Sequence, residues 1–379
     1  AAYKIANLAR MLVKQHCEVH VLMTQNATNF INPITFETLT KHKCLIDTFD
    51  RNFEFSVEHV ALAKAADVVM IAPASANVIG KIANGIADDM LTTTVMACPC
   101  KKIVSPAMNH NMFHNPIVQD NIEKLKHYGY EIVEPAHGML ANGDMGDGRM
   151  PDEELLFEYI VKEIAFEKDM TGKKVLVTAG ATVEAIDPVR FITNHSSGKM
   201  GFALAKNAML RGADVTLVMG KCDSEPPVFV NTVKVQSAKD MYDAVIERAD
   251  SMDIIVKAAA VADYRPKNVS SEKGKKQDGN MSIELERTDD ILKTLGERKN
   301  GQFICGFSME TENMLENSRK KLEKKNCDMI VANNLKQNGA GFGGNTNIVT
   351  LITKDDEVQL EKMTKDEVAE KIFDFILSR

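Results

Sequence analysis

Polar side chains that could support catalysis stand at three places in the first half of the chain. His59 opens a helical pattern just before an apolar strand pattern, and its imidazole could act as a general base. Ser75 and Asn77 follow that strand and open a helix, where free backbone N–H groups could receive an anionic cofactor. Asn109 follows the next strand pattern, and its amide offers both donors and an acceptor. A surface histidine and ordinary helix caps are the alternative interpretations of these residues.

The second half carries its densest pattern after a glycine turn. A strand pattern ends at Gly180, and Ser196-Ser-Gly-Lys199 then opens a helix. Hydroxyls, a glycine and a lysine at a helix start suit a phosphate, with a plain helix cap as the alternative. A nicotinamide-binding domain would instead carry G-x-G-x-x-G directly after the strand, and the sequence lacks that pattern. Lys321 and Lys325 are four residues apart, so one helical face presents both, although a solvated lysine face explains the pair locally.

Strand and helix patterns alternate along the chain, which predicts parallel sheets covered by helices on both faces. In the first half the patterns predict strands at 18–24, 67–72, 102–105 and 131–133. A charged stretch precedes Lys174, where the pattern restarts. We therefore predict an α/β protein of two doubly wound, Rossmann-like domains, residues 1–170 and 171–379. Ligands of such domains lie at the carboxyl ends of the strands.

Composition excludes several other classes of protein. The net charge of −7 argues against a nucleic-acid binder, whose surface is normally basic. The apolar runs are strand-length and too short to span a membrane, and the chain carries no signal-peptide pattern, so we expect a cytoplasmic protein. The seven cysteines are scattered and odd in number, which indicates free thiols in a reducing compartment. The first pattern is a helix without a preceding strand, so we expect a fragment that lacks about a dozen residues.

The first half resembles the flavin-dependent cysteine decarboxylase family in the segments "HVALAKAADVVMIAPASANVIGKIANGIADDMLT" and "PAMNHNMF". The resemblance implies that FMN acts as the electron sink for decarboxylation, with His59 as base and Asn109 holding the substrate carboxylate. It implies FMN contacts at Thr24, Ser75 and Asn77. It implies a substrate contact at Met108 and a substrate clamp, the loop from Gly138 to Met150, that includes Gly143, Asp144 and Arg149.

One residue of that clamp departs from the family pattern. The family has a cysteine as proton donor in the loop after residue 138, and this chain has Asn142. An amide cannot act as an acid near neutral pH. We therefore expect either another donor or an impaired final reduction.

The second half resembles the bacterial phosphopantothenate–cysteine ligase family in "IDPVRFITNHSSGKMG", "AAAVADYRPKNVSSEKGKKQ" and "GFSMET". The resemblance implies CTP, Mg²⁺, cysteine and 4′-phosphopantothenate as reactants, with Asn194 and Arg190 on an acyl-cytidylate and Lys273, on a mobile loop, neutralising phosphate charge. It implies CTP contacts at Lys257, Ala258, Ala259, Asp263, Thr288, Asp289, Asp290, Ile291, Phe307, Lys321 and Lys325. The family has an arginine at the position of Val183, which we interpret as a variable site.

Together the two resemblances imply a bifunctional enzyme of coenzyme A biosynthesis. The ligase half would make 4′-phosphopantothenoylcysteine, and the flavin half would decarboxylate it to 4′-phosphopantetheine. They also imply a homo-oligomer, with trimers of the flavin half and dimers of the ligase half. The alternative that remains open at this point is an active ligase fused to a flavin-binding regulatory module, with Asn142 marking an impaired decarboxylase.

Overall fold

The computed structural model describes residues 1–48, 58–139, 143, 145–273, 282–310, 313–334 and 344–379. The chain divides into two units, Ala1–Phe166 and Glu167–Arg379. In the first unit the helices are α1 Ala2–Lys14, α2 Pro33–Thr40, α3 Glu58–Ala65, α4 Ala76–Ala83, α5 Met90–Ala97, α6 His110–Phe113, α7 Pro116–His127 and α8 Glu153–Ile164. Its strands are β1 Val68–Ala74, β2 Lys101–Pro106, β3 Glu131–Ile132, β4 Ala136–Met139 and β5 Met145–Arg149.

A parallel sheet in the order β1-β2-β3 forms the centre of the first unit. Successive strand residues face opposite sides, so Val104 packs with Ile79 of α4 and Leu125 of α7, whereas its neighbour Ile103 packs with Leu156 of α8. Helices therefore cover both faces of this sheet. Because β1 and β2 are parallel, their carboxyl ends lie at the same edge. The central sheet has three described strands, and a doubly wound order needs more strands than that.

The predicted strand at 18–24 is wrong. The segment makes a single bridge between Leu22 and Leu45, with Met23 N donating to Leu45 O at 2.9 Å and Leu45 N donating to Val21 O at 3.0 Å. A strand needs a run of paired neighbours. Within the described part of the chain only Leu45 lies beside this segment in such a pair.

The second unit is built on a larger sheet. Its helices are α9 Lys199–Leu210, α10 Ala238–Ala249, α11 Ile291–Arg298, α12 Met314–Lys324 and α13 Lys365–Leu377. Its strands are β6 Lys174–Ala179, β7 Val183–Ala185, β8 Phe191–Thr193, β9 Asp214–Met219, β10 Asn231–Lys234, β11 Ile254–Lys257, β12 Tyr264–Pro266, β13 Leu285–Arg287, β14 Phe303–Glu310, β15 Met329–Asn334, β16 Thr346–Asn347, β17 Val349–Ile352, β18 Glu357–Gln359 and β19 Met363–Thr364.

Eight strands of this unit form one sheet in the order β10-β9-β6-β11-β14-β15-β17-β18. The strands from β10 to β15 are parallel, and β17 and β18 are antiparallel additions at one edge. The chain starts at β6, runs outward to β10 and returns to β11, so the winding direction reverses between β6 and β11. In open α/β sheets the crevice at such a reversal is where ligands bind. The predicted α/β class with predominantly parallel sheets is confirmed.

One buried cation, Arg211, fixes the last helix of this unit. Arg211, which directly follows α9, is buried and donates to Asp169 at 2.9 and 2.5 Å and to Asp374 of α13 at 2.9 Å. Asp169 precedes β6, so one guanidinium joins the start of the unit to α13. The fork geometry of arginine allows one side chain to hold both carboxylates.

All seven cysteines are free thiols. No helix in the described ranges is long and apolar enough to cross a membrane.

Candidate active sites

Two turns at the carboxyl ends of β1 and β2 lie side by side in the first unit. Ala107 N donates to Ala74 O at 3.0 Å, directly after the two strands end. Ser75 begins the first turn and Asn109 the second, and both side chains are exposed. The sheet therefore brings together two residues that are well separated in sequence.

Both turns cap helices, yet one of them retains free donors. Ser75 Oγ accepts from Val78 N at 3.4 Å, which satisfies one amide at the start of α4. Among the described residues, no acceptor binds the amides of Ala76 and Asn77. The cap interpretation of Ser75 is thus correct and leaves two amides available to an anion at the same helix end.

Asn109 uses one side of its amide as a cap. Its Oδ1 accepts from Asn111 N at 2.9 Å at the start of α6. The side-chain NH₂ group remains as the donor. A neutral donor can hold a carboxylate without the strong stabilisation that an ion pair would give it.

The β4–β5 hairpin attaches to the Asn109 turn through its backbone. Met108 N donates to Gly148 O at 3.0 Å. Gly148 has φ of 118°, and a Cβ there would lie 2.2 Å from Met108 O. The sequence therefore needs glycine at 148 for the hairpin to reach this turn.

Three histidines form hydrogen bonds to Asp147 of β5 and so hold the same hairpin. The carboxylate of Asp147 lies 2.9 Å from His137 Nδ1 and 3.0 Å from His114 Nε2, while its amide donates to His110 Nδ1 at 3.1 Å. Hydrogen bonds from His137 and then His114 hold the pKa of Asp147 below its usual value. The sequence analysis missed this cluster, because residues 110, 114, 137 and 147 show no recognisable spacing.

In the second unit, three lysines lie near the carboxyl end of β11 and the middle of the longer β14. Lys321 Nζ donates to the backbone carbonyl of Phe307 at 2.9 Å, and Lys325 forms an ion pair with Asp290. Lys257 ends β11 close enough to Lys321, Lys325 and Asp290 for their charges to affect its pKa. The helix pair Lys321 and Lys325 therefore faces a site and not only solvent.

The pKa of Lys257 reports the character of this cluster. Burial first, and then the positive charges of Lys321 and Lys325, lower the pKa of Lys257 from 10.5 to about 8 against the opposing effect of Asp290 and Asp263. Repulsion from Lys321 and Lys325 therefore adds to the cost of holding a charged Lys257 in a buried place. An anionic ligand would relieve that repulsion.

Three threonines fix the turn that follows Lys257. Ala259 N donates to Thr178 Oγ at 3.0 Å, and Ala262 N donates to Thr182 Oγ at 3.0 Å. Thr288 Oγ in turn donates to Ala262 O at 2.6 Å. These bonds join the turn to the end of β6 and to the start of α11, so the crevice has a rigid floor.

Asp290 connects that floor to the lysines. It caps α11 by accepting from Lys293 N at 2.9 Å. Burial raises its pKa, but hydrogen bonds from Lys325 and Lys293 together hold the pKa below the ordinary value. Asp290 is therefore a carboxylate in this site at neutral pH.

Arg190 and Asn194 lie on either side of β8, which pairs with β7. The guanidinium of Arg190 donates to the buried carboxylate of Asp187 at 2.8 and 2.5 Å. Asn194 donates from Nδ2 to Ala260 O at 3.3 Å, which places it at the turn after β11. Asn194 therefore lies close in the fold to the end of β11, and Arg190 is held by Asp187 in the turn between β7 and β8.

The β12–β13 ribbon carries the lysine-rich loop. Ser270 N donates to Ile186 O at 3.1 Å, so the loop base is joined to the turn that contains Arg190. Lys273 is exposed and is the last described residue before 282. The rest of the predicted mobile loop lies outside the described residues.

Comparison with known proteins accounts for both units. Residues 1–165 match the family described as Flavoprotein, and residues 170–379 match the DNA/pantothenate metabolism flavoprotein C-terminal domain. The coenzyme A biosynthesis bifunctional protein CoaBC of Bacillus subtilis (strain 168) is 48% identical over 94% of this chain and 88% of its own length. The protein of that name from Vibrio cholerae is 42% identical, over 99% of this chain and 95% of its own length.

The chain belongs to the CoaBC family. The predicted bifunctional enzyme of coenzyme A biosynthesis, a flavoprotein decarboxylase unit followed by a ligase unit, is confirmed. A solved C-terminal domain of a CoaBC protein is 48% identical, with a TM-score of 0.48 over 55% of this chain and 96% of that one. The regulatory-module alternative is not favoured. The predicted loss of an N-terminal segment is not supported by the alignments, which cover 94% and 99% of the chain.

The CoaBC chain brings only part of the predicted decarboxylase site together. Thr24 caps a short 3-10 helix, its Oγ accepting from Ala27 N at 3.2 Å, and His59 lies in α3, which packs on α5. Among the described residues, no hydrogen bond joins either side chain to the strand-end turns. Asn142 and Asp144 lie outside the described residues. Gly143 is exposed.

The donor sets in the two units fit the groups that the CoaBC family implies. In the first unit, the two free amides at the start of α4 fit a phosphate ester such as that of FMN. In the second unit, the lysine cluster around Asp290 fits a triphosphate such as that of CTP. Arg149 of the hairpin is exposed and lies 3.4 Å from Asp152, an ion pair that solvent screens and a substrate anion could replace.

Proposed function

We propose that the ligase unit joins cysteine to 4′-phosphopantothenate with CTP and Mg²⁺, and that the flavin unit decarboxylates the product with FMN. The observation that carries the ligase half is the cluster of Lys257, Lys321 and Lys325 at the carboxyl end of β11. The decarboxylase half is supported by the paired strand-end turns of Ser75 and Asn109. The product of the ligase is the substrate of the decarboxylase, so one chain would perform successive steps.

In the flavin unit, Thr24, Ser75 and Asn77 would hold FMN. When bound, FMN supplies the electron sink that decarboxylation of an amino-acid carboxylate needs. His59 would take the thiol proton of the substrate as a general base. Asn109 would orient the substrate carboxylate through its NH₂ group, because its carbonyl oxygen already accepts from Asn111.

The hairpin would close this site. Met108 is hydrogen bonded to Gly148, so a substrate held by Asn109 would lie at the base of the β4–β5 hairpin. Gly143, Asp144 and Arg149 would contact the substrate from that hairpin. Asn142 would occupy the position of the family's acid, and there it could hold a water but could not donate a proton itself.

In the ligase unit, Lys257, Lys321 and Lys325 would bind the triphosphate of CTP. A carboxylate becomes an acyl donor only when its oxygen is made part of a leaving group. Attack of the substrate carboxylate on the α-phosphate of CTP would achieve this, because it forms the acyl-cytidylate and releases pyrophosphate. The lysines would stabilise the charge that develops on the phosphates. Mg²⁺ would enter with the nucleotide, and no protein ligand is assigned to it.

The remaining ligase residues would position the reactants. Phe307 and the turn from Lys257 through Ala258 and Ala259 to Asp263 would line the CTP site. The start of α11 would close it, with Thr288, Asp289, Asp290 and Ile291. Arg190 and Asn194 would bind the acyl-cytidylate, and Lys273 would reach it from the β12–β13 ribbon.

One incubation tests both activities. The protein would be supplied with 4′-phosphopantothenate, cysteine, CTP, Mg²⁺ and FMN, and the products would be followed by mass. We expect 4′-phosphopantothenoylcysteine and then 4′-phosphopantetheine, each dependent on CTP. Decarboxylation of added 4′-phosphopantothenoylcysteine without CTP would test the flavin unit alone. Absence of the ligated product with CTP and Mg²⁺ present would contradict the ligase half.

The proposal includes assembly and location. The family implies a homo-oligomer, in which the flavin units form trimers and the ligase units form dimers. Light scattering of the purified protein measures the assembly. We also propose that the enzyme acts in the cytoplasm, where its nucleotide and cysteine substrates are found.

A further inference from the structure

Three side chains with metal-binding atoms come together in the first unit, beside the turn of Asn109. They are His110, His114 and Asp147, and one ligand atom of each lies within 4.8 Å of the ligand atoms of the other two. His114 Nε2 is 3.0 Å from Asp147 Oδ2. Two atoms that bind the same Zn²⁺ at about 2 Å in tetrahedral geometry are about 3.3 Å apart. This group therefore has nearly the spacing of a metal site.

The short helix α6 presents the two histidines on one side. They are four residues apart, and His114 N donates to His110 O at 3.0 Å, which closes one helical turn. Histidines at this spacing on a helix face the same way and can bind one zinc ion together. Because α6 has only four residues, the spacing acquires meaning only when the structure shows the turn. Strand β5 then adds Asp147 from a distant part of the sequence.

The carboxylate of Asp147 is held in a position that suits a cation. Its Oδ1 lies 2.9 Å from His137 Nδ1, which leaves Oδ2 on the side of His114. Hydrogen bonds from His137 and then His114 hold the pKa of Asp147 below its usual value, so the group is ionised near neutral pH. Carboxylates that bind metals are commonly oriented by a second hydrogen bond of the kind that His137 makes.

We propose that His110, His114 and Asp147 bind a divalent transition metal, for which Zn²⁺ is the best fit. Zn²⁺ takes imidazole and carboxylate ligands, whereas Mg²⁺ and Ca²⁺ prefer oxygen ligands alone. The cation replaces the proton between His114 Nε2 and Asp147 Oδ2, which is released to solvent. A neutral imidazole has one lone pair for bonding, so the cation also takes the place of the Asp147 amide that lies 3.1 Å from His110 Nδ1. Water completes the coordination, because His114 and Asp147 are partly exposed.

A cation at this place fastens the β4–β5 hairpin to the turn of Asn109. His110 follows Asn109 directly and Asp147 precedes Gly148, so the cation lies next to the backbone bond from Met108 to Gly148. A metal that binds the docked hairpin and not the released one stabilises the docked arrangement. The site is distinct from that of the Mg²⁺ proposed for ligation, since it lies in the other unit.

The test is a calorimetric titration of the full chain, without an affinity tag and treated with a chelator, with Zn²⁺. The parent protein carries His42→Gln, because Glu18, His20 and His42 form another group of possible ligands. We expect the parent to bind Zn²⁺ and His114→Gln to bind it at least about a hundredfold more weakly, the upper end of what losing an outer-shell partner costs. His127→Gln is the matched control, since His127 is exposed on α7 of the same unit, and it should bind as the parent does.

Further measurements separate a metal site from a network of hydrogen bonds alone. His137→Gln should weaken Zn²⁺ binding about tenfold, because His137 orients Asp147 without binding the metal. If His114→Gln does not fold, ¹H NMR of the parent replaces it, and Zn²⁺ should shift the ring signals of His110 and His114 but not that of His127. Equal affinity in His114→Gln and His127→Gln, unshifted ring signals, or no Zn²⁺ binding by the parent overturns the proposal. Neither FMN nor any substrate is present, so these results do not depend on the proposed reactions.

Discussion

Met108 and Gly148 are joined by a backbone hydrogen bond of 3.0 Å that brings the β4–β5 hairpin onto the turn of Asn109. A Cβ at residue 148 would lie 2.2 Å from the carbonyl oxygen of Met108. The hairpin can reach the turn only while residue 148 has no side chain. Substitution of Gly148 is therefore the most direct way to separate the hairpin from the proposed decarboxylase site.

Gly148→Ala should abolish most decarboxylation and leave ligation intact. The matched control is Gly129→Ala, because Gly129 also has positive φ, 84°, a Cβ there would meet nothing within 4 Å, and the residue lies outside the proposed site. Both substitutions place an alanine at positive φ, which costs on the order of 1 kcal/mol or more, and only Gly148→Ala adds the clash with Met108 O. Decarboxylation of added 4′-phosphopantothenoylcysteine is the measurement, with pyrophosphate release as the internal reference. Equal activity in the two variants would show that the hairpin does not need this contact.

Binding of CTP should depend on pH through Lys257. Its pKa in the folded protein is about 8, below the ordinary 10.5, so folding favours the neutral amine. The cost of holding the charged form is present below about pH 8, and it is relieved as the pH rises from 8 toward 10.5. A bound triphosphate raises the pKa of Lys257 again. Binding of CTP near pH 8.5 should therefore be coupled to uptake of part of a proton by the protein, and CTP should bind more weakly above that pH.

Calorimetry in two buffers of different ionisation enthalpy measures that proton uptake. Lys257→Met should eliminate it. Lys293→Met is the control, because Lys293 is exposed on α11 and lies 3.7 Å from Glu297. CTP binding without any net proton uptake in the wild type would exclude Lys257 as a triphosphate contact.

Lys273→Gln and Asn194→Asp should each reduce ligation at least about a hundredfold, the scale of losing one charge-stabilising contact. Asp at 194 also loses the donor that binds Ala260 O. Lys267→Gln is the control for the loop, since Lys267 is exposed on the same ribbon and pairs with Glu284 at 2.7 Å. Pyrophosphate release that depends on both CTP and 4′-phosphopantothenate is the measurement. Wild-type turnover in both variants would remove these residues from the proposed site.

Asn142→Cys should accelerate formation of 4′-phosphopantetheine, because a thiol has a proton to give and a pKa near 8.5. The wild type should accumulate some decarboxylated enethiol before the final reduction. His59→Asn should prevent flavin reduction by substrate, because that earlier step needs a base. Stopped-flow absorbance of the flavin and mass analysis of the products distinguish the two steps. A fast wild-type enzyme that Asn142→Cys leaves unchanged would show that another group is the donor.

The central strands of the large sheet could be predicted because both of their faces are buried, which leaves continuous apolar runs in the sequence. β6, with Val175, Leu176 and Val177 fully buried, is a continuous apolar run that only a parallel strand between two helical layers explains. The short ribbons were not predicted, since β7, β8, β12 and β13 have three residues each and no apolar alternation. They form because the turns of the crevice hold them in place, which a local pattern cannot show.

The candidate sites divide in the same way. Lys321 and Lys325 were identifiable as a pair because one helix presents both. Their proximity to Lys257 depends on the strand order, and the approach of Asp147 to His114 depends on the packing of β5 against α6. Neither contact leaves a spacing in the sequence, so only the fold could reveal it.

The hydrogen bonds from Arg211 to Asp169 and Asp374 have a consequence for synthesis of the protein. Arg211 and Asp374 are 163 residues apart, and α13 covers α9 with Val368, Ile372 and Phe373, all fully buried. At about 5 to 20 residues per second, a ribosome needs roughly 10 to 30 s to add α13 after Arg211 has been made. During that interval the apolar face of α9 has no cover, so the nascent ligase unit is exposed to aggregation and to holding chaperones until its last helix emerges.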